Sequence, residues 1–460
     1  MNPSAADTAP AGTGAGSARP ATIMIAVATG FVMAMLDVTI VNVALKAMQD
    51  SLSLSLTALV WVVDAYALSF AALLLLGGAL ADRFGSKTIY LTGLVIFVTA
   101  SLLCAAAATS AMLIAARLLQ GVGAALFMPS SLSLLTLAFP PGALRVRMIG
   151  IWGALVSAAM AFGPFVGGVL VNAIGWRSIF WVNLPVGLIG LWLTHRHVAR
   201  SPRHAGPLNG FGHLFGAAAL IALSLTLIQG PSAGWTSPVI VGSALATLLA
   251  VAAFVVRERR ARHRILSIAL LNNPRFVAGS ILGLAINFAI LAEIFLIGLY
   301  LQQQRGESPL QTGFHLFPLM AMFAAGNLAS ARVSARLGGR GTLLSGLALA
   351  TLGTAALIDI PRMPYWALSL AIGVANFGAG QAIPAMNLAV MQAAGPAEAN
   401  LAAASLNASR QIGSLLGVAI ASVALHAIAD PELATATGFA VIAAAYAGGL
   451  GLVFKTLRPG

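Results

Sequence analysis

The residues with the most chemical potential are charges placed where charges are rare. Asp37, Asp64, Arg117 and Glu293 each stand inside a long apolar run. A charge in hydrocarbon costs at least ~2.5 kcal/mol, so such residues pair with one another or line a water-filled cavity, and they are functional candidates by default. Counted from the ends of their runs at ~1.5 Å per residue, all four fall in one layer about 9–12 Å below one membrane face. Three carboxylates against one guanidinium leave a surplus of acids, a chemistry suited to protons and cationic ligands. Trp61 and Tyr66 flank Asp64 in the sequence and can add cation–π contact worth about 0.5–2 kcal/mol. The competing reading is a set of static ion pairs that only orient helices, with Asp64 paired to Arg117. Arg410 lies nearer the other face and reads as a structural or gating residue.

These charges need elements to hold them. The chain has 460 residues, 59% hydrophobic and 8% charged, with a mean hydropathy of +0.93. Soluble domains carry about 25% charged residues. Apolar runs long enough to cross ~30 Å of hydrocarbon must satisfy their own backbone, which means helices. The expected fold class is an all-α membrane protein with fourteen transmembrane helices. They are expected at Thr22–Leu45, Leu56–Leu80, Ile89–Ala108, Ala111–Leu137, Ile149–Val171, Ile179–Thr194, Phe211–Gly230, Pro238–Val256, Phe276–Tyr300, Gln311–Val333, Thr342–Asp359, Tyr365–Gln392, Leu401–Ile428 and Ala436–Phe454. This gives a tail at 1–21, a six-helix bundle at 22–194, a loop with two inserted helices at 195–264, and a second six-helix bundle at 265–460. The tail is rich in Ala, Gly, Ser, Thr and Pro and reads as flexible. The first apolar run is too long for a signal-peptide core and reads as a retained helix.

The net charge of +13 does not signal nucleic acid, because the basic residues fall in short connections between spans. With the N-terminus inside, the inner side holds most of them, from Arg19, Arg83 and Lys87 through Arg257–Arg264 to Arg458. The outer side holds Lys46, Arg177, Arg305 and Arg362. That bias orients the chain with both termini cytoplasmic. The single cysteine, Cys104, allows no disulfide framework. His195, His197 and His204 lack the spacing of a metal site. Gly121-Val122-Gly123 follows no strand and is not read as a dinucleotide loop. Asn407-Ala408-Ser409 lies inside a helix, not in a glycosylated loop. No cofactor, metal or catalytic constellation is expected, so an enzyme is disfavoured.

The connection after the second helix reads Gly78-Ala79-Leu80-Ala81-Asp82-Arg83-Phe84-Gly85-Ser86-Lys87. It resembles the loop-2/3 signature of the major facilitator superfamily, with Ser86 where a second arginine is usual. Ala331–Arg340 stands where a second-half copy would fall, without the aspartate. Four further segments resemble the proton-driven, fourteen-helix drug-efflux branch of that superfamily. Leu36–Leu45, which contains Asp37 and Asn42, resembles its first-helix signature, with Lys46 in place of the usual proline. Arg117–Ala125 resembles the buried-arginine motif. Gly150, Gly163, Pro164, Gly167 and Gly168 resemble the antiporter motif, with Ala159 replacing one glycine. Gly175–Pro185 resembles the link into the sixth helix.

The resemblance implies two six-helix bundles plus two central helices, working by alternating access. It implies Asp37 and Arg117 as proton-coupling residues. The buried charged layer adds Glu293 to them and offers Asp64, Trp61, Tyr66, Asn42 and Glu293 as contacts for the substrate; at Asp64 this chain departs from efflux relatives, which commonly carry an uncharged residue there. Gly78, Asp82, Arg83, Gly85, Gly163, Pro164, Gly167 and Gly168 would serve gating. The expected function is proton-coupled efflux of amphipathic, cationic small molecules across the inner membrane, with protons and the lipid bilayer as further partners and a monomer as the working unit. Two alternatives stay open: a dedicated exporter of one metabolite, such as an antibiotic or siderophore, and a non-transporting membrane sensor.

Overall fold

The computed structural model describes residues 20–139, 142–201, 203, 210–260 and 268–456. Arg19, His204, Arg262, Arg264 and Arg458, with nearly all of the expected tail, lie outside the described residues. Thirteen segments are helical, long and apolar enough to cross a membrane. One of them, Pro309–Arg362, breaks at Gly338, whose φ of 68° leaves the helical region. The break makes two crossings of that segment and brings the total to the expected fourteen.

The helices are α1 Pro20–Leu52, α2 Leu56–Phe84, α3 Ser86–Ala105, α4 Ser110–Ala138, α5 Ala143–Ile174, α6 Ser178–His197, α7 Gly210–Ala233 and α8 Pro238–Arg260. After them come α9 Pro274–Gln304, α10 at 309–337, α11 at 339–356, α12 Tyr365–Gly395, α13 Leu401–Ala427 and α14 Pro431–Thr456. Their connections are short, and local chemistry sets the ends. Ser55 and Thr109 accept backbone N–H bonds at the starts of α2 and α4, and Ser308 with Gln311 forms a capping box at the start of α10. Gly85 and Gly338 turn the chain with positive φ at corresponding points of the two halves, between α2 and α3 and between α10 and α11, a conformation that glycine adopts without a Cβ clash.

Several boundaries differ from those read in the sequence. Helix α1 does not stop near Lys46; it runs on to Leu52, and Lys46 pairs with Asp50 one turn later. Helix α9 extends past Tyr300 through a π-helical turn, Tyr300–Gln304. Helix α11 ends in a 3₁₀ turn, Leu357–Arg362, where the exposed Asp359 meets Arg362 at 3.3 Å.

Helices α1–α6 form one bundle and α9–α14 another. Helix α7 packs against α2 and against the α12–α13 segment, while α8 packs on α7. Leu245, Leu248 and Leu249 of α8 face outward, as do Trp192 and Leu328, an apolar surface of the kind that lipid covers.

Arg83, Lys87, Arg145, Arg147, Arg196, Arg257, Arg259, Arg260, Arg332, Arg336 and Arg340 stand at helix ends of one face, the basic face. Contacts between the halves cluster toward the opposite face. There Phe165 meets Phe314 with ring centroids 5.1 Å apart, Gln303 donates to Gln49 at 2.9 Å, and Thr57 meets His426 at 3.2 Å. A Cβ built on Gly168 of α5 would stand 2.6 Å from the carbonyl oxygen of Pro309 in α10. The halves are therefore closed together near that face and separated toward the basic one.

Candidate functional site

Between the halves lies a cavity of about 780 Å³. Eight helices line it, α1, α2, α4 and α5 from one half and α9, α10, α12 and α13 from the other. The N-terminal wall is largely apolar, with Phe31, Phe70, Trp152 and Met160, and carries Asp64, Tyr66 and Arg117. A pocket of several hundred Å³ with apolar walls and few polar groups is the usual form of a small-molecule site.

Arg117 of α4 is fully tied down. Its Nη1 donates to Asp37 at 2.5 Å and to Gln120 Oε1 at 2.7 Å, and its Nε donates to the Val62 carbonyl at 3.0 Å. The guanidinium also stacks over the Tyr66 ring at 4.7 Å. Gln120 closes the circuit, donating to the other Asp37 oxygen at 3.0 Å and to Ser101 at 2.9 Å, and Asn183 donates to Ser101 at 3.3 Å. Asp37 and Arg117 are each 1% exposed. An ion pair this deep needs such supplementary hydrogen bonds to offset its desolvation.

Asp64 is placed otherwise. It is on the cavity wall and 0% exposed, yet both carboxylate oxygens are without a hydrogen-bond partner among the described residues. The pairing of Asp64 with Arg117 that sequence reasoning allowed does not occur; Arg117 turns its Nη1 to Asp37 and Gln120 instead. A buried carboxylate without partners is costly as an anion, a cost that a proton or a cation would relieve.

The structure separates the remaining predicted residues. Glu293 stands in the C-terminal half, 0% exposed, where Oε1 accepts from Asn376 at 2.9 Å and Oε2 has no partner among the described residues. It is not among the cavity-lining residues, nor are Asp37, Asn42 and Trp61. Asn42 donates to the Val38 carbonyl at 2.9 Å, and its backbone meets Gly298 of α9. Trp61 packs on the core beneath the site.

Of the gating candidates, Gly163 and Gly167 let α5 lie against Thr39 and Ile40 of α1, while Gly168 and the Pro164 carbonyl meet α10 across the seam. Gly78 approaches Pro129, and Gly85 makes the α2–α3 turn. Asp82 and Arg83 are exposed on the basic face and make no ion pair with a described residue. It is Lys87 that is anchored there, donating to the carbonyls of His195 at 2.9 Å and Val198 at 2.6 Å.

Sequence reasoning assigned no role to Gln120, Ser101, Asn183 or Asn376. Gln120 was within reach, since it follows Arg117 by three residues and so shares its helix face. Ser101, Asn183 and Asn376 are lone polar residues in apolar helices, and only the packing of neighbouring helices brings them to a charge. No group of His, Cys, Asp and Glu among the described residues is arranged to hold a metal ion.

A family model described as Major Facilitator Superfamily matches residues 27–228 and 208–418. The chain is 48% identical over 426 residues to a methylenomycin A resistance protein of Bacillus subtilis (strain 168), covering 92% of this chain and 91% of that one. It is 47% identical over 438 residues to a methylenomycin A resistance protein of Streptomyces coelicolor, covering 94% and 92%. Among solved structures, a bacterial homologue of the human lysosomal transporter Spinster, in an inward-facing and occupied conformation, superposes with a TM-score of 0.68 at 17% identity, covering 97% of this chain and 98% of that one.

Proposed function

The chain belongs to the major facilitator superfamily, alongside drug-resistance proteins, and from that premise we propose that it exports amphipathic, cationic drugs or toxic compounds in exchange for protons. The carrying observation is Asp64, a carboxylate without a partner among the described residues on the wall of an apolar cavity, beside the Asp37–Arg117 pair. The basic face is cytoplasmic by the charge bias of the connections. The conformation described is then inward-facing, in the cytoplasmic membrane, with both termini inside and a single chain as the working unit.

The proposed cycle uses this geometry. A cationic substrate enters from the basic face, lays its apolar body on the aromatic N-terminal wall and meets Asp64. Its charge displaces the proton that keeps Asp64 neutral. The halves then rock about the cavity, opening the Gly168–Pro309 seam and closing the basic face. Protons from outside return to the acids as the substrate leaves. Asp37 is the coupling acid: its protonation removes the charge that holds Arg117, and Arg117 in turn holds Tyr66 and Val62 of α2. Glu293, held by Asn376 in the other half, is a further proton site. Each proton moving inward supplies roughly 2.3 kcal/mol per 100 mV, about fiftyfold of substrate gradient.

A second reading, export of a single antibiotic, is favoured by likeness along nearly the whole chain to the methylenomycin A resistance proteins. Inverted membrane vesicles test both. Cationic dye uptake that depends on an imposed proton gradient supports the first reading. Transport of one compound from a panel supports the second, and no transport of any compound with or without the gradient contradicts export.

A further inference from the structure

The two walls of the cavity differ in chemistry. Five carboxamides line it, Asn287, Asn327, Asn387, Asn407 and Gln411, and all five belong to the C-terminal half. Arg410 of α13 lines the same cavity and, among the described residues, is the one cation that half contributes to the wall. It is half-buried, and its Nε is sealed from solvent without a hydrogen-bond partner. Its guanidinium makes no ion pair or hydrogen bond with a described residue, in contrast to Arg117, whose guanidinium has three. The side chains of Asn327, Asn387, Asn407 and Gln411 likewise bond to no described residue, whereas Asn287 donates to the Gly283 carbonyl at 2.9 Å. Gly283 of α9 makes the room for this arrangement: a Cβ there would stand 3.2 Å from Arg410 Cγ.

An unpaired cation inside a membrane protein is costly, and it persists where a partner arrives in function. The planar fork of a guanidinium matches a carboxylate with two parallel N–H bonds, and carboxamide NH₂ groups add donors around it. We propose that Arg410 and the surrounding carboxamides form a carboxylate-binding subsite, so that the cavity takes organic acids and zwitterions as well as cations. This rests on the export reading and widens its substrate class. The acid group docks on the C-terminal half while the apolar body lies against Phe31, Phe70 and Trp152. A zwitterion engages Asp64 and Arg410 together. A simple acid binds when Asp64 is protonated and no longer repels it.

The test is equilibrium binding to the full chain in phosphatidylcholine nanodiscs. The probes are naphthylbutyric acid, naphthylbutylamine and the methyl ester of the acid. Arg410→Gln should weaken binding of the acid about tenfold and leave the ester within about twofold. Arg410→Lys keeps the charge and loses the fork, so it should weaken the acid about threefold and spare the ester; it also carries the test should Arg410→Gln not assemble. Equal loss for all three probes, unchanged acid binding in both variants, or no acid binding by the natural protein overturns the subsite. Flux of the same probes in proteoliposomes keeps the two claims apart, since a protein that binds the acid through Arg410 but moves none of the three contradicts export alone.

Discussion

Arg117 reaches across from α4 to Asp37 in α1 at 2.5 Å and leaves Asp64, on the neighbouring α2, without a partner. The pair and the free acid lie on the same side of the cavity but do different work. One carboxylate is committed to a guanidinium inside the N-terminal bundle. The other is buried on the cavity wall and has no hydrogen-bond partner among the described residues.

Asp64→Asn removes the one carboxylate among the residues lining the cavity. Export of a dication should fall about tenfold, the effect of roughly 1.4 kcal/mol. A matched monocation should fall less, and a neutral dye should be almost untouched. Vesicle efflux of the three compounds measures this, and a uniform loss across them would count against Asp64 as a binding group.

Gly168→Val places a branched side chain against the Pro309 carbonyl at the closed seam. The halves then cannot meet near the opposite face, and transport should drop at least about tenfold, as overpacking at an interface of small residues predicts. In a Cys104→Ser background, a cysteine at the buried Thr312 should gain labelling by an impermeant maleimide from outside. Unchanged transport and labelling would show that the seam tolerates the added bulk.

Most of the fold was legible in the sequence, because hydrocarbon demands long apolar helices and the connections carry the basic residues. Helix α1 ran past its expected end because Lys46 finds Asp50 one turn on, a pairing that lets a charge sit in a helix at the membrane edge. The broken segment at Gly338 was legible because its basic, glycine-rich stretch repeats the pattern after α2. The site was less so. Depth placed Asp37, Asp64, Arg117 and Glu293 in one layer, yet depth says nothing about rotation around each helix axis. Glu293 therefore sat beside Asn376 rather than in the cavity, and Arg410 proved to be a lining residue.

Asp82→Asn tests the gating role expected of Asp82 and Arg83, as a latch that closes the basic face. Asp82 and Arg83 are exposed on the basic face and make no ion pair with a described residue; Arg83 lies over the neighbouring Phe84 ring at 5.6 Å. In the closed form they are expected to dock on the neighbouring bundle at a helix end. The variant should lose the outward-facing state without losing substrate affinity. Labelling of a cysteine at Leu132, on the cavity wall, should rise under energised conditions relative to the natural protein. Identical labelling in both would exclude a latch at Asp82.

The most direct measurement uses Asp37→Asn in proteoliposomes. The amide keeps the shape and the Gln120 contact but carries no proton. The proton-coupled account predicts that substrate counterflow down its own gradient survives, while accumulation driven by an imposed proton gradient falls to the level of protein-free liposomes. Gradient-driven accumulation at the natural rate by Asp37→Asn would contradict it, as would a natural protein whose uptake ignores the proton gradient.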